Sequence, residues 1–434
     1  MKRRLLSLLL VAAFGTSVLA GCGSSAPAAT DAPAEEAAVE EAAPAESTGD
    51  KEVLEFYHGY YHDESEWAPA KAMRDIFDEF AAAHSDGPVE FKPVPVENGA
   101  EIAQNMIAGG SFPDIIDYAG SDVPLAAISG GLLLDVKPYI DANGLKDAVG
   151  INYTQNDVDG AIYTVHDQLL TRGIWYNKDI VEGAGLTVDD IQTWEGFEKL
   201  VDSVDYAYIA GQSSEQLLTA KLASDGNADL ITSPMTADMV KSDAFANAFK
   251  AVAALDQKNG SDHTTNDVGN MMADFNANGT VAVLHNGVWN AGAIDAGLAD
   301  VIQPALFPGN LSILQAGGGI TIASGMSEAK EALALEFLAY MVSPEVQAKI
   351  FTDVQANPCN TTVDVVALGA AGGVEKLAEA CNLCNAAKVQ VPGLVWDGDI
   401  KAAIINAFME CAVSGADIDA RYDKLVDEIV AIVG

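Results

Sequence analysis

The chain has 434 residues, with 63 acidic side chains against 23 basic ones, and its formal net charge is −40. Such an acidic balance argues against binding to nucleic acid or to an anionic surface. The length is too great for one compact core and suits two lobes of ordinary domain size.

The N-terminus has the pattern of a bacterial export signal. Cations at positions 2–4 precede an apolar run at 5–18, which has the length of a signal-peptide core rather than of a membrane span. The sequence "LAGC" at 19–22 follows at once. It resembles the lipobox of bacterial lipoproteins, in which the cysteine sulfur is acylated and the chain is cut just before it. We therefore expect residues 1–21 to be a lipoprotein signal peptide and Cys22 to be the lipidated mature N-terminus. An ordinary signal peptide with a chance cysteine is the alternative.

Residues 22–50 have the composition of a tether. They are rich in Ala, Pro, Glu, Ser and Thr, and Val39 is their only larger aliphatic residue. Such a segment cannot bury enough apolar surface to fold, and its acidic charges repel one another and extend it. We therefore expect a disordered tether that holds the folded body away from the membrane. No apolar run after residue 18 is long enough to span a bilayer, so membrane contact is expected through the N-terminal lipid only.

Predicted strands and helices alternate from residue 51 onwards. "VLEFY" at 53–57 predicts a buried strand that leads into an aromatic loop, and "VEFKPVPV" predicts a second extended segment. "FPDIIDY" predicts a short buried strand whose end exposes Asp117 and Tyr118. The helix between the first two segments carries apolar side chains on one face, namely Met73, Ile76, Phe77, Phe80 and Ala81. This alternation predicts a mainly parallel α/β sheet.

The same alternation continues in the middle of the chain. Thr193 is predicted to cap a helix whose apolar face holds Phe197, Leu200, Val201 and Val204. "VAVLHNGVWNAG" predicts a buried strand that ends at a loop with a glycine and a tryptophan, and "ITIASG" predicts another strand. The next helix should bury Ala334, Phe337, Leu338 and Met341, and Ser343 and Pro344 should begin the helix after it.

Beyond the lipobox, the chain has four cysteines, all in its last quarter: Cys359, Cys381, Cys384 and Cys411. A zinc site needs about four ligands. No second CxxC motif and no closely spaced histidine pair accompanies "CNLC". Oxidised pairing is ordinary in an exported protein, so we favour disulfides over a metal, although the sequence leaves open both the disulfide state of the four cysteines and their connectivity. We expect neither a metal nor a cofactor.

Four stretches of the chain together resemble the family 1 extracellular solute-binding proteins of ABC importers, the maltose-binding-protein-like group. They are "FPDIIDY", "WYNKDIVEGAGL" followed by "TWEGFEKLVDSV", "FNANGTVAVLHNGVW" and "GGGITIASGMSEAKEALALEFLAYMVSPEVQ". They occur in the family's order, and the resemblance covers essentially all of residues 51–434.

The resemblance implies a type II periplasmic-binding-protein-like fold, in which two α/β lobes joined by crossing hinge segments close on a small solute. We expect an N-terminal lobe of residues 51–165 and 320–375 and a C-terminal lobe of residues 166–319 and 376–434. Such a protein would be a monomer that catalyses no reaction and hands a sugar or oligosaccharide to an ABC permease. It would be anchored on the outer face of the cytoplasmic membrane, or on the periplasmic side if the cell has an outer membrane.

Ligand contacts are expected in the cleft between the lobes. A sugar has apolar faces and a hydroxyl rim, and Tyr and Trp offer a flat face together with a polar atom. The resemblance implies that Tyr118 and Trp289 line the sugar site, and it places Trp396 near a further late aromatic. The other candidates are Tyr60 and Tyr61 after the first strand, Asp122 close behind Tyr118, and His166 and Asp167 in a predicted crossing. Packing inside a lobe is the alternative for each aromatic, and Asp167 is either a ligand contact or a hinge residue.

Other functional classes fit the sequence less well. A glycoside hydrolase needs two positioned acids, and no motif predicts such a pair. The GxSxG, HExxH and phosphate-loop motifs do not occur. A surface adhesin would show repeats or a β-rich sandwich. Among solute-binding proteins, a polyamine is the alternative ligand, because an acidic cleft would suit ammonium groups.

Overall fold

The computed structural model describes residues 51–119, 123–210, 213–259, 268–396 and 398–434. The strands, numbered in chain order, are β1 Glu52–His58, β2 Val89–Pro95, β3 Ile115–Asp117, β4 Asp157–Val158, β5 Ala161–Ile162, β6 Thr164–Val165, β7 Gln168–Asn177, β8 Val283–Gly287, β9 Ile302–Ala305, β10 Leu311–Gln315, β11 Ile320–Ile322, β12 Asn357–Pro358 and β13 Val389–Val391.

The helices of the first part of the chain are α1 Ala68–Ala83, α2 Gly99–Ala108, α3 Leu125–Ser129, α4 Lys137–Ala142, α5 Lys146–Val149, α6 Asn152–Gln155, α7 Lys178–Gly183, α8 Val188–Ile191, α9 Trp194–Ser203 and α10 Ser214–Ser224. Those that follow are α11 Asp229–Thr232, α12 Ala237–Val240, α13 Asp243–Asn259, α14 Val268–Asn276, α15 Glu328–Met341, α16 Pro344–Lys349, α17 Val365–Gly372, α18 Glu375–Asn385, α19 Gly398–Cys411 and α20 Ile418–Val433. A 3₁₀ helix spans Val288–Ala293, and a π-helical segment spans Ile350–Val354.

The elements predicted from the sequence are present. Residues 53–57 lie in β1, and α1 buries Met73, Ile76, Phe77 and Phe80. The Thr193 side chain accepts a hydrogen bond from the backbone N–H of Gly196 and caps α9, as its position before the helix predicts. Ser343 caps α16 in the same way, with proline in the first turn.

The first sheet has the strand order β2-β1-β3-β11-β6. β1 runs parallel to β2 and β3, whereas β11 runs antiparallel to both of its neighbours, β3 and β6. Asp117 at the end of β3 pairs with Ile320 at the start of β11, and Ile320 pairs with Val165 at the end of β6. The carboxyl ends of β1, β3 and β6 therefore meet at one edge.

The second sheet is built around β7, which pairs antiparallel with β8, β9, β10 and β12; β13 pairs parallel with β10. The prediction of a mainly parallel sheet was therefore wrong for this half and incomplete for the first. The chain crosses between the sheets through residues 166–167 and 316–319, so β7 and β11 enter their sheets against the direction of their neighbours. The carboxyl ends of β8 and β10 point back towards the start of β7.

Each sheet has its own apolar core. Helices α1 and α15 bury aromatic and aliphatic side chains on the first sheet, among them Phe56, Phe77 and Phe337. Helices α9, α10, α13, α19 and α20 pack with one face of the second sheet, and α18 packs on its other face. The lobe boundary that we expected at residue 375 differs from this packing. Strand β12 pairs with β7, and Phe351 together with Val365 and Leu368 of α17 belongs to the cluster of Trp175 on β7. The lobe boundaries stay a prediction.

Buried amide side chains tie the crossings together. The Asn152 side chain pairs with both the backbone N–H and the backbone carbonyl of His166, at 2.9 Å each. The Gln347 side chain donates to the carbonyl of Asp167 and accepts from the N–H of Cys359, at 2.8 Å each. Because β12 at residues 357–358 pairs with the start of β7, Gln347 links two neighbouring chain segments at the hinge.

Candidate ligand-binding site

The aromatic and acidic residues of the first sheet gather at the edge where β1, β3 and β6 end. Tyr60 is 6% exposed, and its ring stacks on Trp67 with centroids 5.6 Å apart. The Gln168 side-chain amide, at the start of β7, donates to the Tyr60 hydroxyl at 2.8 Å. Tyr60 therefore joins the end of β1 to the crossing, and most of its ring is used for packing.

Two buried carboxylates lie at the same edge. Asp117 is 8% exposed and Asp167 is 2% exposed. Burial raises the pKa of Asp117 to about 6, although the N–H of Ala119 donates to its Oδ1 at 2.8 Å. Burial and the nearby charge of Asp117 raise the pKa of Asp167 well above its usual range. The Oδ1 atom of Asp167 has no hydrogen-bond partner among the described residues. Burial therefore favours the protonated form of both carboxyl groups, and the Oδ1 atom of Asp167 has acceptor capacity left over.

Tyr118 follows Asp117 directly and is 5% exposed. Its ring stacks on Phe112, with centroids 6.5 Å apart, so little of the ring face is open. Burial raises the pKa of its hydroxyl to about 12, and the hydroxyl oxygen is buried without a hydrogen-bond partner in the described chain. A buried hydroxyl left in this way is a candidate for a ligand contact. The geometry favours contact through the hydroxyl over stacking on the ring.

His166 belongs to the hinge. Its ring Nδ1 lies 2.7 Å from the carbonyl oxygen of Ala316 in the other crossing, so this nitrogen carries the proton and donates it. Burial lowers the pKa of His166 to about 4, which keeps the ring neutral. Gly319 makes the close approach of the crossings possible, since a Cβ atom there would lie 2.3 Å from the Cα of His166. The ring therefore connects the two crossings.

Trp289 lies on the second sheet, just beyond the end of β8. Its six-membered ring covers the backbone of Gly287: a Cβ atom at position 287 would lie 2.2 Å from two of the ring carbons. Only glycine leaves room for the indole to fold back over the strand end. The Arg172 guanidinium lies 5.6 Å from the centroid of the Trp289 ring, within cation–π range. Trp289 is half-buried and is thus more accessible than Tyr118.

Strand β7 connects the two groups of residues. Side chains alternate along a strand, and Gln168, Leu170 and Arg172 are the half-exposed residues of β7, whereas Leu169 and Thr171 are buried. Gln168 contacts Tyr60, and Arg172 contacts Trp289. Four residues of strand span about 13 Å. The half-exposed face of β7 therefore forms a floor between the acidic edge of the first sheet and the tryptophan of the second.

Arg172 and Glu215 were missed by the sequence analysis. Glu215 lies in the first turn of α10; burial raises the pKa of its carboxyl group, and the charges of Arg172 and Lys401 oppose that increase. The alternation of "QLLTR" could have placed Gln168 and Arg172 on one face of a strand. Nothing in the sequence pattern connects α10 with β7.

The structure corrects the predicted role of Trp396 as a ligand contact. It is 0% exposed, its indole N–H donates to the carbonyl of Leu230 at 3.0 Å, and its ring lies 5.7 Å from that of Phe245. It is a core residue of the second sheet's helical layer and offers no face to a ligand. The apolar helices α13 and α19 on either side explain why a tryptophan after a strand is enclosed here.

Three other residues that the sequence singled out have different outcomes. Tyr61 is 40% exposed and stacks on His62, with ring centroids 4.1 Å apart. Asp122 and Cys22 lie outside the described residues, so the structure gives no placement for either.

The four described cysteines are unpaired and buried. The prediction of disulfides was therefore wrong. Cys381 and Cys384 lie one turn apart inside α18, Cys359 lies at the hinge, and Cys411 ends α19, so each thiol is enclosed where it stands. In the described part of the chain, no three His, Cys, Asp or Glu side chains group together in a way that could hold a metal ion. No helix there has the length and apolar character needed to cross a membrane.

A family model described as "Bacterial extracellular solute-binding protein" matches residues 64–348. The chain belongs to this family. Among solved structures, a solute-binding protein from Streptococcus pneumoniae in complex with the blood group A-trisaccharide is 45% identical to it. That likeness covers 88% of this chain and 100% of the other, with a TM-score of 0.79. It confirms the predicted two-lobed α/β fold for this solute-binding protein.

Two further relatives have lower overall similarity. A chitin oligosaccharide binding protein is 19% identical, with 88% of this chain and 98% of that chain covered and a TM-score of 0.66, which supports the same fold. The arabinooligosaccharide-binding protein of Bacillus subtilis is 32% identical over 104 residues. That match spans 22% of this chain and 22% of the relative, so the solute-binding protein is aligned with only a part of it.

Proposed function

We propose that this solute-binding protein captures a sugar or oligosaccharide between its two lobes and delivers it to the permease of an ABC importer. The observation that carries the proposal is the floor formed by β7, which has Trp289 and Arg172 at one end and Tyr60, Asp117 and Asp167 at the other. An aromatic face next to unpaired hydrogen-bonding groups suits the apolar face and hydroxyl rim of a sugar.

The 45% identical relative supports a carbohydrate, because its structure is a complex with the blood group A-trisaccharide. The arabinooligosaccharide-binding relative supports the same class of ligand over the shorter aligned segment. Binding requires only that the closed form make more contacts with the ligand than the open form does. We therefore assign no catalytic step to the protein, and the saccharide should be recovered from it intact.

The proposed contacts differ between the lobes. Trp289 offers a stacking face, whereas Tyr118 and Asp167 offer a hydroxyl and a carboxylate oxygen that lack partners among the described residues. Tyr60 shapes the edge through its bond with Gln168. His166 acts by holding the hinge, since its ring is bonded to Ala316.

We further propose that Cys22 anchors the monomeric protein to the membrane through lipid and that residues 23–50 give it reach. Wild-type protein expressed in bacteria should partition into detergent, and Cys22→Ala should be released or left unprocessed. Equal partitioning of both forms, with a mature N-terminus at another residue, would refute the anchor.

The ligand class can be tested by calorimetry with the blood group A-trisaccharide and with arabinooligosaccharides. Trp289→Ala should weaken binding by about 1–3 kcal/mol, the usual cost of losing a buried aromatic contact, and should leave the protein folded. Trp194→Ala is a matched control: Trp194 is also half-buried and has a cation, Lys221, 5.3 Å from its ring centroid, but it lies on α9. The control should bind like wild type.

Closure gives an independent measurement. Small-angle scattering should show a smaller radius of gyration when the saccharide is present. Binding of neither saccharide class, or a folded Trp289→Ala protein with unchanged affinity, would overturn the proposal.

The acid pair Asp117 and Asp167 favours one second candidate, a polyamine or another cationic solute, because ammonium groups would compensate two buried carboxylates. Including spermidine in the same calorimetric experiment separates the candidates. Tight binding of spermidine, lost in Asp117→Asn, would replace the sugar with an amine.

A further inference from the structure

Arg172 is a charged residue that the protein itself leaves without a hydrogen bond in its described part. It is half-buried on the open face of β7, and its guanidinium donates to none of the described residues. Burial lowers its pKa, because desolvation disfavours the charged form. A guanidinium has five N–H donors in a planar fork, so leaving them unsatisfied in such a place is costly unless a ligand or water receives them.

The other arginines of the described chain are used differently. Arg74 donates to the carbonyls of Tyr60 and His62 at 2.7 Å each. Arg421 forms ion pairs with Glu410 at 2.6 Å and with Glu428 at 3.2 Å. Both are explained by structural roles, and Arg172 is not.

Glu215 is a charged acceptor that also lacks a hydrogen-bond partner in the described part of the chain. Its carboxylate accepts no hydrogen bond from the described residues, although it is half-buried at the start of α10. Helix α10 packs against β10, whose Ile313 pairs with Arg172 on β7, so the element that carries Glu215 adjoins the strand next to Arg172. The guanidinium charge opposes the rise in the pKa of Glu215, yet no salt bridge joins the two side chains within the described chain. A donor and an acceptor of opposite charge therefore lie in neighbouring elements without satisfying each other, and the donor lies over the Trp289 ring.

We propose that Arg172 and Glu215 are ligand-contacting residues that together select the hydroxyl arrangement of the sugar ring stacked on Trp289. The guanidinium donates two N–H groups to neighbouring sugar oxygens, and the carboxylate accepts the hydrogen of a hydroxyl group. Each sugar hydroxyl both donates and accepts, so a donor fork next to an acceptor recognises the position of hydroxyls around a ring better than either group alone. This assignment rests on the proposed carbohydrate function.

The arrangement also suits a ligand longer than one ring. Arg172 lies about 13 Å along β7 from Gln168, which contacts Tyr60 at the acidic edge. A saccharide that reaches both ends would place one ring at the Arg172–Glu215 pair and another at Asp117 and Asp167.

The experiment measures affinities by calorimetry for wild type, Arg172→Gln, Arg172→Lys, Glu215→Gln and the double variant. The probes are the blood group A-trisaccharide and arabinooligosaccharides, together with deoxy derivatives of whichever saccharide binds wild type. Arg172→Gln should weaken binding about 10- to 100-fold, as loss of charged hydrogen bonds does, and Arg172→Lys should recover only part because it lacks the fork. Melting curves show whether each variant is folded, and Arg172→Lys preserves the charge if Arg172→Gln is unstable.

Selectivity separates ligand contact from a structural role. Wild type should discriminate against one of the deoxy derivatives, and this discrimination should disappear in Glu215→Gln and Arg172→Gln. The two substitutions should be non-additive in the double variant because the residues bind neighbouring groups. Lys221→Gln removes the cation above Trp194 and should change neither affinity nor selectivity.

The outcomes distinguish this inference from the proposed function. If neither saccharide binds wild type, the carbohydrate function fails and the inference fails with it. If Trp289→Ala weakens binding while folded Arg172→Gln and Arg172→Lys bind and discriminate like wild type, only the inference is overturned. Tighter binding by Glu215→Gln would also overturn it, since Glu215 would then be repelling an anionic group rather than accepting a hydroxyl.

Discussion

Replacing Gln347 with methionine should destabilise the protein strongly without touching the ligand. Gln347 is 0% exposed in α16, and its amide joins three segments. The Nε2 atom donates to the carbonyls of Asp167 and Met341 at 2.8 Å each, and Oε1 accepts from the N–H groups of Cys359 at 2.8 Å and Asn360 at 3.3 Å. Methionine has a similar shape, so the packing is retained and the polar contacts are lost.

The size of the effect follows from these four bonds. Each buried carbonyl or N–H left without a partner costs about 1–3 kcal/mol. The 3.3 Å bond shares its acceptor with the shorter one, and some carbonyls will find new partners as the hinge relaxes. We therefore expect a loss of about 4 kcal/mol in the free energy of unfolding, a large part of the roughly 5–15 kcal/mol typical of native proteins.

Urea and thermal unfolding of Gln347→Met and wild type, followed by circular dichroism, measure this loss. Gln104→Met is the matched control, since Gln104 is exposed on α2 and its side chain donates no hydrogen bond to the described residues. The control should unfold like wild type. If Gln347→Met unfolds at the same urea concentration and temperature as wild type, the amide bonds do not stabilise the hinge, and the reasoning is refuted.

Three further predictions concern the core, the acid pair and the thiols. Trp396→Ala should cost about 3–5 kcal/mol of stability, measured by urea unfolding, because it empties a fully buried site. A variant as stable as wild type would contradict the placement of Trp396 in the core. Burial raises the pKa of Asp117 above its unfolded value, so the native state binds the extra proton and stability should fall as pH rises from about 4 to about 6. Asp117→Asn keeps the acceptor for Ala119 and should flatten this dependence in melts across that range, and an unchanged slope would contradict the assignment. Alkylation in denaturant without a reductant, followed by mass spectrometry, should label all four described cysteines, whereas an unlabelled pair would indicate a disulfide.

Much of the fold could be predicted because local patterns and packing agree. Met73, Ile76, Phe77 and Phe80 lie at helical spacing and are among the residues that α1 buries. Strand direction could not be predicted in the same way. Whether β7 and β11 run parallel or antiparallel to their neighbours depends on where the chain crosses between sheets, and those crossings are set by long-range contacts such as Asn152 with His166.

The binding site could be predicted only in part, because it also depends on long-range packing. Trp289 and Trp396 both follow strands in sequence, but one lies over Gly287 at a strand end and the other is enclosed by α13 and α19. Only the tertiary packing separates them. The disulfide prediction used the cellular compartment and the cysteine count. Neither indicates that Cys381 and Cys384 are buried, unpaired residues of the same helix.

The hinge and the proposed binding surface share one short stretch of backbone, and this has a consequence for affinity. Residues 166–167 hold the bonds to Asn152, Ala316 and Gln347, and β7 then carries Gln168 and Arg172 on its open face. A ligand that contacts both ends of this stretch binds better to whichever hinge angle brings those contacts together, and it shifts the lobes towards that angle. A hinge substitution that favours the open form therefore lowers the apparent affinity by the fraction of closed form it removes, although no ligand contact has changed. Asn152→Ala should show this behaviour: it should weaken saccharide binding less than Trp289→Ala does while leaving selectivity between saccharides intact, whereas a change in selectivity would place Asn152 in contact with the ligand.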